Sequence, residues 1–214
     1  MKFSFKLLDS DSYVRKEVLN AIKNHMEQTF NKALPTIRTK IKPILENALK
    51  QEPEYNSLVA GQLRLEFGIP DTSKVDEVIS KLADTIFINT NPISITNAGL
   101  SGGFTIYAIK SDDISGVIYE DSAMVIDDNK GYKLPWLEWL LLKGNKTIIQ
   151  KHDVKIGSNP VSRTGMAIMV ESNKSWRVPP EFVGNNKNNW TTRAIERTQN
   201  EIKNIIQKTI EACL

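Results

Sequence analysis

The sequence predicts an α+β fold: N-terminal helices, a mostly antiparallel sheet, and a long C-terminal helix packed on it. Three observations predict it. Apolar residues recur at helical spacing through the first third, short β-branched and aromatic segments bounded by turn residues fill the middle, and a helical period returns after Asn189. The 214 residues contain no repeat or low-complexity linker, so a single domain is expected. Its parts are residues 1–84 as a helical part, 85–186 as sheet with a short helix near 134–143, and 187–214 as the C-terminal helix.

The first helix is expected from Ser12 to Ala33, where Val14, Val18, Ile22, Met26 and Phe30 recur every four residues behind the N-cap candidates Ser10, Asp11 and Ser12. Pro35 suits the first turn of a second helix carrying Ile37, Ile41 and Leu45, which Pro43 should kink or split. Pro53 opens a third, with Tyr55, Leu58 and Leu63, ending near Gly68. Val75, Ile79, Leu82 and Ala83 mark a fourth after a turn at Pro70–Ser73. From Thr85 the strand candidates are TIFINT, GFTIYAI, SGVIYE, SAMVID, TIIQKHDVKIG and TGMAIMVE. GLSGGF (Gly99–Phe104) reads as a turn admitting positive φ, because it lacks the Lys-Ser/Thr of a phosphate-binding loop. LPWLEWLLLKG (Leu134–Gly144) reads as a short helix with a glycine stop, and Ile195, Ile202, Ile205, Ile206 and Ile210 line one face of the last helix.

Forty per cent apolar residues suffice for a sizeable core. One cysteine, Cys213, excludes an internal disulfide and points to a reducing compartment. The opening apolar run is too short for a signal peptide, and no stretch reaches the roughly 18 to 20 apolar residues of a membrane span, so an intracellular protein with no membrane partner is expected. A net charge of +3 is too small for a nucleic-acid binder. Its distribution says more: residues 1–60 carry +3, 61–128 carry −7 and 129–214 carry +7. The unlike regions are either solvated faces or halves of a head-to-tail contact between copies, the kind that closes into a ring.

Chemistry is sparse. There is no Ser-His-Asp order, G-x-S-x-G elbow, HExxH or CxxC pair, so no catalytic, cofactor or metal residue is assigned. His25 falls in the first helix as a surface or boundary residue, and Cys213 lies at a terminus unsuited to precise catalysis. Six acids lie between Lys110 and Lys130: Asp112, Asp113, Glu120, Asp121, Asp127 and Asp128. With Asp153 and Lys155, a D-x-K at a strand end, they sketch a metal-dependent nuclease or other phosphate-handling enzyme, the alternative reading. The spacing opposes it, since Asp pairs at strand ends also make turns.

The aromatic segments are more distinctive. Trp136 and Trp139 sit on a short helix that is apolar nearly all round, so it is either deeply buried or covered by a partner. SWRVPPEFVGNNKNNWTTRAIE (Ser175–Glu196) combines a double proline, a glycine and four asparagines with Trp176, Arg177, Phe182, Trp190 and Arg193. Tryptophan and arginine dominate protein–protein hot spots, so these seven residues form a candidate protein interface. The alternative is that the tryptophans pin the loop to its own core.

Paired with SRTGMAIMV (Ser162–Val170), this segment resembles the neck and tail-completion proteins of tailed bacteriophages, where a sheet leads through a proline-containing loop to a helix starting near an Arg-Ala pair, here Arg193-Ala194. VAGQLRLEFGI (Val59–Ile69) is similar to their G-x-L-R segment through Gly61, Leu63 and Arg64. The resemblance implies a non-enzymatic virion protein in a homo-oligomeric ring at the head–tail junction. Its neighbours would be other neck, connector or tail proteins, with DNA passing by without sequence-specific contacts. It would be made in the host cytoplasm and end in the virion. Neck, tail-completion and tail-terminator roles all stay open.

Overall fold

A single helix, α1 (Asp11–Lys50), runs through both prolines that the sequence predicts as a helix start and a kink. In a helix interior each proline leaves one carbonyl without its N–H, at a cost of about 3 kcal/mol. Here Pro35 and Pro43 are exposed, and so are Asn31 and Thr39, whose carbonyls lose those bonds to water rather than to a void. The opposite face keeps a continuous helical period, with Ala33, Ile37, Ile41, Leu45, Ala48 and Leu49 all buried. Burial of that stripe outweighs the proline penalty.

The computed structural model describes residues 8–109, 111–127 and 131–214, the side chains of 111–113 excepted. By contacts the chain, expected to be one domain, divides into two units. One comprises Met1–Lys40, Phe87–Tyr107 and Lys203–Leu214, and the other Ile41–Ile86 and Ala108–Ile202. The division falls inside α1 and inside the last helix, α7 (Trp190–Glu211). The α+β class holds, with N-terminal helices, antiparallel strand pairs and a long C-terminal helix. The strands form four separate two-stranded ladders.

In the first unit, β1 (Phe87–Thr96) and β2 (Gly99–Tyr107) make a long antiparallel hairpin closed at Asn97-Ala98. GLSGGF is therefore strand rather than turn. The glycines serve a different need: a Cβ on Gly102, at φ +150°, would lie 2.6 Å from the Ile93 Cα, so only glycine fits opposite the bulge between Asn91 and Ser94. Alternation sets Ile88, Ile95, Leu100, Phe104 and Ile106 on one face, and Asn89, Asn91, Ser94, Ser101 and Thr105 on the other, where Phe87 and Tyr107 pair at the open end. The apolar face meets α1. Phe30 and Phe104 pack edge to face with centroids 5.3 Å apart, and Arg15 donates to the Asn97 carbonyl at 3.1 Å. Residues 15–30 of helix and 97–104 of strand each span about 22–23 Å, so the two run alongside. The tail of α7 is tied to α1 where Lys40 donates to the Thr209 hydroxyl at 3.3 Å.

The second unit holds one apolar cluster built on α2 (Pro53–Ala60), α3 (Gln62–Phe67), α4 (Ser73–Asp84), α5 (Ser111–Ile118) and α6 (Trp136–Leu141). The segment SGVIYE, expected as a strand, belongs to α5: Ile114, Val117 and Ile118 are buried at helical spacing. β3 (Val125–Asp127), β6 (His152–Ile156) and β7 (Ala167–Glu171) fall in expected segments, β6 pairing with β7, whereas the partner of β3, β4 (Tyr132–Leu134), is a strand that the sequence reading did not expect. TIIQKHDVKIG splits, because β5 (Thr147–Ile149) pairs instead with β8 (Trp176–Arg177). At the α2–α3 corner a Cβ on Gly61 would lie 2.8 Å from the Ser57 Cα, and the Ser57 hydroxyl accepts the Leu63 N–H at 3.0 Å. The first turns of α7 are held by the α1–α2 junction, described next.

Candidate functional site

Three of the seven interface candidates are core residues. Trp136, Trp176 and Trp190 are 1, 5 and 1% exposed, too little ring surface to anchor a partner. Each buried indole also spends its only donor within the second unit. Trp136 donates to the Ser122 carbonyl at 3.2 Å, Trp190 to the Leu49 carbonyl at 2.8 Å, and Trp176 to a Glu66 carboxylate oxygen at 3.2 Å. Trp176 also meets Phe67 edge-on, with centroids 5.9 Å apart. A large apolar ring with one donor finds both needs met at home, which is why these residues pin the loop rather than display it. Trp139 and Phe182 are partly buried against the same core, so α6 is covered mainly by its own chain.

The loop itself is clasped rather than loose. Gly184 donates to the Leu140 carbonyl at 3.1 Å, and a Cβ there would lie 2.5 Å from that oxygen. Asn185 accepts the N–H groups of Lys187 and Asn188 at 2.9 and 3.0 Å, an Asx turn. Asn189 caps α7, its side-chain oxygen accepting from the Thr191 and Thr192 N–H groups at 3.0 and 3.1 Å. The asparagine-rich composition is thereby turn and cap chemistry.

Arg193 reaches two glutamates that sequence reasoning missed. It pairs with Glu52 at 3.5 Å and with Glu54, while Arg197 pairs with Glu52. Glu54 is buried, so this cluster clamps α7 to the start of α2. Arg193 therefore serves the fold. The clue lay in Glu52-Pro53-Glu54 at a helix start, but nothing local names a partner some 140 residues later.

What stays accessible around the loop is a groove of about 550 Å³, floored by Gln62, Glu66 and Trp176 and walled by Asp153, Lys174, Arg177 and the Pro179-Pro180-Glu181 bend. Arg177 is exposed and donates to the Asn145 side chain at 3.2 Å. Glu66 accepts from the Gln62 amide at 2.5 Å as well as from Trp176. Burial pushes the Glu66 carboxyl above the usual carboxylate range, the Gln62 and Trp176 hydrogen bonds oppose that, and the neighbouring charges of Asp153 and Glu181 add to it. The groove thus mixes three carboxylates with two cations, a lining that repels phosphate as much as it attracts it.

The nuclease residues do not converge. Asp153 takes the Val154 N–H at 2.9 Å and faces Lys174 at 3.7 Å, while Lys155 is exposed on the same strand. Of the acidic run, Glu120 pairs with Lys81 at 3.0 Å and Asp127 with Arg163 at 3.8 Å; Asp128 and the side chains of Asp112 and Asp113 lie outside the described residues. Among the described residues no three His, Cys, Asp or Glu side chains gather as a metal set would require. His25 is exposed, His152 bonds the Gln150 carbonyl at 2.9 Å, and Cys213 is partly buried. No described helix is long and apolar enough to cross a membrane.

The segments that carry the phage resemblance are joints of the second unit. Gly61 and Leu63 make the α2–α3 corner, Arg64 folds back to the carbonyls of Val59 and Ile69 at 3.4 Å each, and Ala194 is fully buried beside Arg193. No protein-family model, curated protein or solved structure matches the chain.

Proposed function

We propose that this chain is a non-enzymatic structural protein of a tailed bacteriophage, one subunit of a homo-oligomeric ring at the head–tail junction, in a neck or tail-completion role. The observation that carries the reading is the wet apolar surface of the first unit. On α1, Val18 and Ile22, consecutive members of the four-residue apolar series from Val14 to Phe30, are 52 and 44% exposed along a face whose spacing is that of a buried stripe. A helix spends apolar residues at that period to bury them, and a partner is the means left when its own chain does not. The charge asymmetry between residues 61–128 and 129–214 supports the same reading, as unlike surfaces suit a head-to-tail contact. Arg177, Trp139, Phe182 and Arg193 are the members of the predicted interface with surface left to offer a neck, connector or tail neighbour.

Tailed particles carrying the gene provide the test. Mass spectrometry of purified particles is expected to find the chain in several copies, and immunogold to mark the head–tail joint. Absence from particles, or Mg²⁺-dependent DNA cleavage that Asp153→Asn abolishes, would overturn the reading in favour of a phosphate-handling enzyme.

A further inference from the structure

The second unit leaves little apolar surface wet, and most of it lies in one place. Among its described residues the large apolar side chains left exposed are Tyr119, Tyr132, Ile156, Val161, Met166 and Ile168. Four of these six lie on the β6–β7 ladder and its connecting loop, and Tyr132 stands near enough to Arg163 of that loop to feel its charge. Single scattered residues of this kind are ordinary, but several together mark a contact surface. Tyr119, 71% exposed just past the end of α5, belongs to a different element.

The loop between β6 and β7 holds its own shape. Asn159 donates to the Gly165 carbonyl at 2.8 Å, Ser162 donates to the Asn159 carbonyl at 3.0 Å, and the Asn159 side chain accepts the Val161 N–H at 3.1 Å. Val161 is thereby displayed, 92% exposed, on ordered backbone that loses little entropy when something docks. Beside it opens a cavity of about 310 Å³ lined by Leu65, Val154, Val161, Arg163, Ile168 and Met169. That volume is at the small end for a ligand site and suits one aromatic side chain.

Charge says whose side chain it is. Lys155 stands opposite Ile168 in the register and forms no ion pair among the described residues. Arg163 pairs with Asp127 and Lys174 with Asp153, so three cations stand against two carboxylates here. Tyr119 is followed directly by Glu120 and Asp121, both exposed. Glu120 shares Lys81 with Glu77, and Asp121 forms no ion pair among the described residues, so this corner keeps a carboxylate in surplus.

We infer that the β6–β7 surface of one copy receives Tyr119 of a second copy in the cavity beside Val161, with Lys155 meeting the second copy's Glu120 and Asp121, and that this contact builds the oligomer. The two symmetric alternatives set like charges together. Two ladder surfaces face to face bring Lys155 against Lys155, and two Tyr119 corners bring acid against acid. Only the unlike pair attracts, and it joins the acidic middle of one chain to the basic final third of the next. Such a contact is heterologous, so each copy keeps one surface for a further neighbour, as a closed ring requires. Tyrosine suits the anchor's role, because it brings a large rigid area and a hydroxyl at low entropic cost. The inference rests on the oligomeric part of the function proposed above, not on its location in a phage particle.

Sedimentation of the purified protein from about 1 to 100 μM, a range that brackets ordinary assembly affinities, tests it against two double variants. The wild type is expected to sediment as a closed multiple of its 24.2 kDa mass. Val161→Asp with Ile168→Asp sets acids on the receiving surface, and Tyr119→Ala with Asp121→Asn removes what it receives. Each is expected to weaken assembly about 100-fold or more, with unchanged far-UV circular dichroism. Mixed, the two variants hold one intact surface of each kind and are expected to form a 1:1 dimer and nothing larger. Ile95→Lys, at an exposed apolar position of β1, is expected to leave the mass unchanged. For a reading independent of charge, Val161→Cys and Tyr119→Cys chains, each with Cys213→Ser, are mixed and oxidised. Cross-linking between the two kinds of chain is the expected result.

A wild type that stays monomeric overturns the inference. So does a variant of either surface that keeps the wild-type mass, a mixture of folded variants that stays monomeric, an Ile95→Lys chain that alone dissociates, or oxidation that links only like chains. A chain that fails here yet is found at the joint of tailed particles loses only this contact. One that assembles through Tyr119 but is absent from particles loses only the phage role.

Discussion

The two units of this chain solve the same problem in opposite ways. In the second unit, large side chains with a polar tip are satisfied inside it: three indoles donate to named acceptors and two arginines meet two glutamates. In the first, an amphipathic helix and a neutral hairpin cover one face of each other and leave the rest wet. The difference teaches where to look for partners. Conspicuous residues such as tryptophan are self-sufficient here, while plain ones such as Val18 and Ile22 carry surface that one copy leaves open.

The sharpest way to break the comparison is Trp190→Ala. It empties a fully buried site and orphans the Leu49 carbonyl, so denaturant unfolding should report a loss of about 3–5 kcal/mol. Next is Arg193→Ala, which leaves the Glu54 carboxylate buried without its partner and should cost about 3 kcal/mol by the same measurement. If Arg193→Ala instead leaves stability intact and only weakens assembly, the clamp is an interface after all. Glu66→Gln sharpens the picture through pH. Because the folded pKa lies above the unfolded one, the native state holds the extra proton, so Glu66 loses stabilising effect as pH rises from the usual carboxylate value through the raised one. The difference in unfolding free energy between variant and wild type should therefore move in the variant's favour across that window, and a flat difference refutes the shift. The smallest effect belongs to the first unit: Val18→Ser should change monomer stability by no more than about 0.5 kcal/mol.

Much of the fold is legible in the sequence where period and punctuation agree. α4, α6 and α7 fall where apolar spacing, a glycine stop or an asparagine cap sets them. It is illegible where a local rule is outweighed from afar. Pro35 and Pro43 break helices in isolation, yet a buried stripe carries α1 past them because the abandoned carbonyls face water. Ile114, Val117 and Ile118 have strand chemistry and helical spacing, and burial decides for the spacing. GLSGGF looks like a turn because positive φ suggests one, while the glycines answer a bulge on the facing strand. The candidate site divides in the same way. Composition marks Ser175–Glu196 as an ordered loop, but only the structure shows its tryptophans facing inward and the Glu66 groove beside it. Asp153 and Lys155 are neighbours in sequence, whereas the cation facing Asp153 is Lys174.

The β1–β2 hairpin carries no charged residue, and its neutrality has a practical corollary in peptide chemistry. Trypsin cuts after Lys and Arg, and none occurs between Lys81 and Lys110, so it releases the hairpin whole within the fragment Leu82–Lys110. Proteases that cut after acidic residues are equally blind from Thr85 to Ile109. Nicking by these enzymes thus spares the ribbon in every state of the protein, and its strands travel through digestion as one piece whose shielding from labelling reagents can be followed directly.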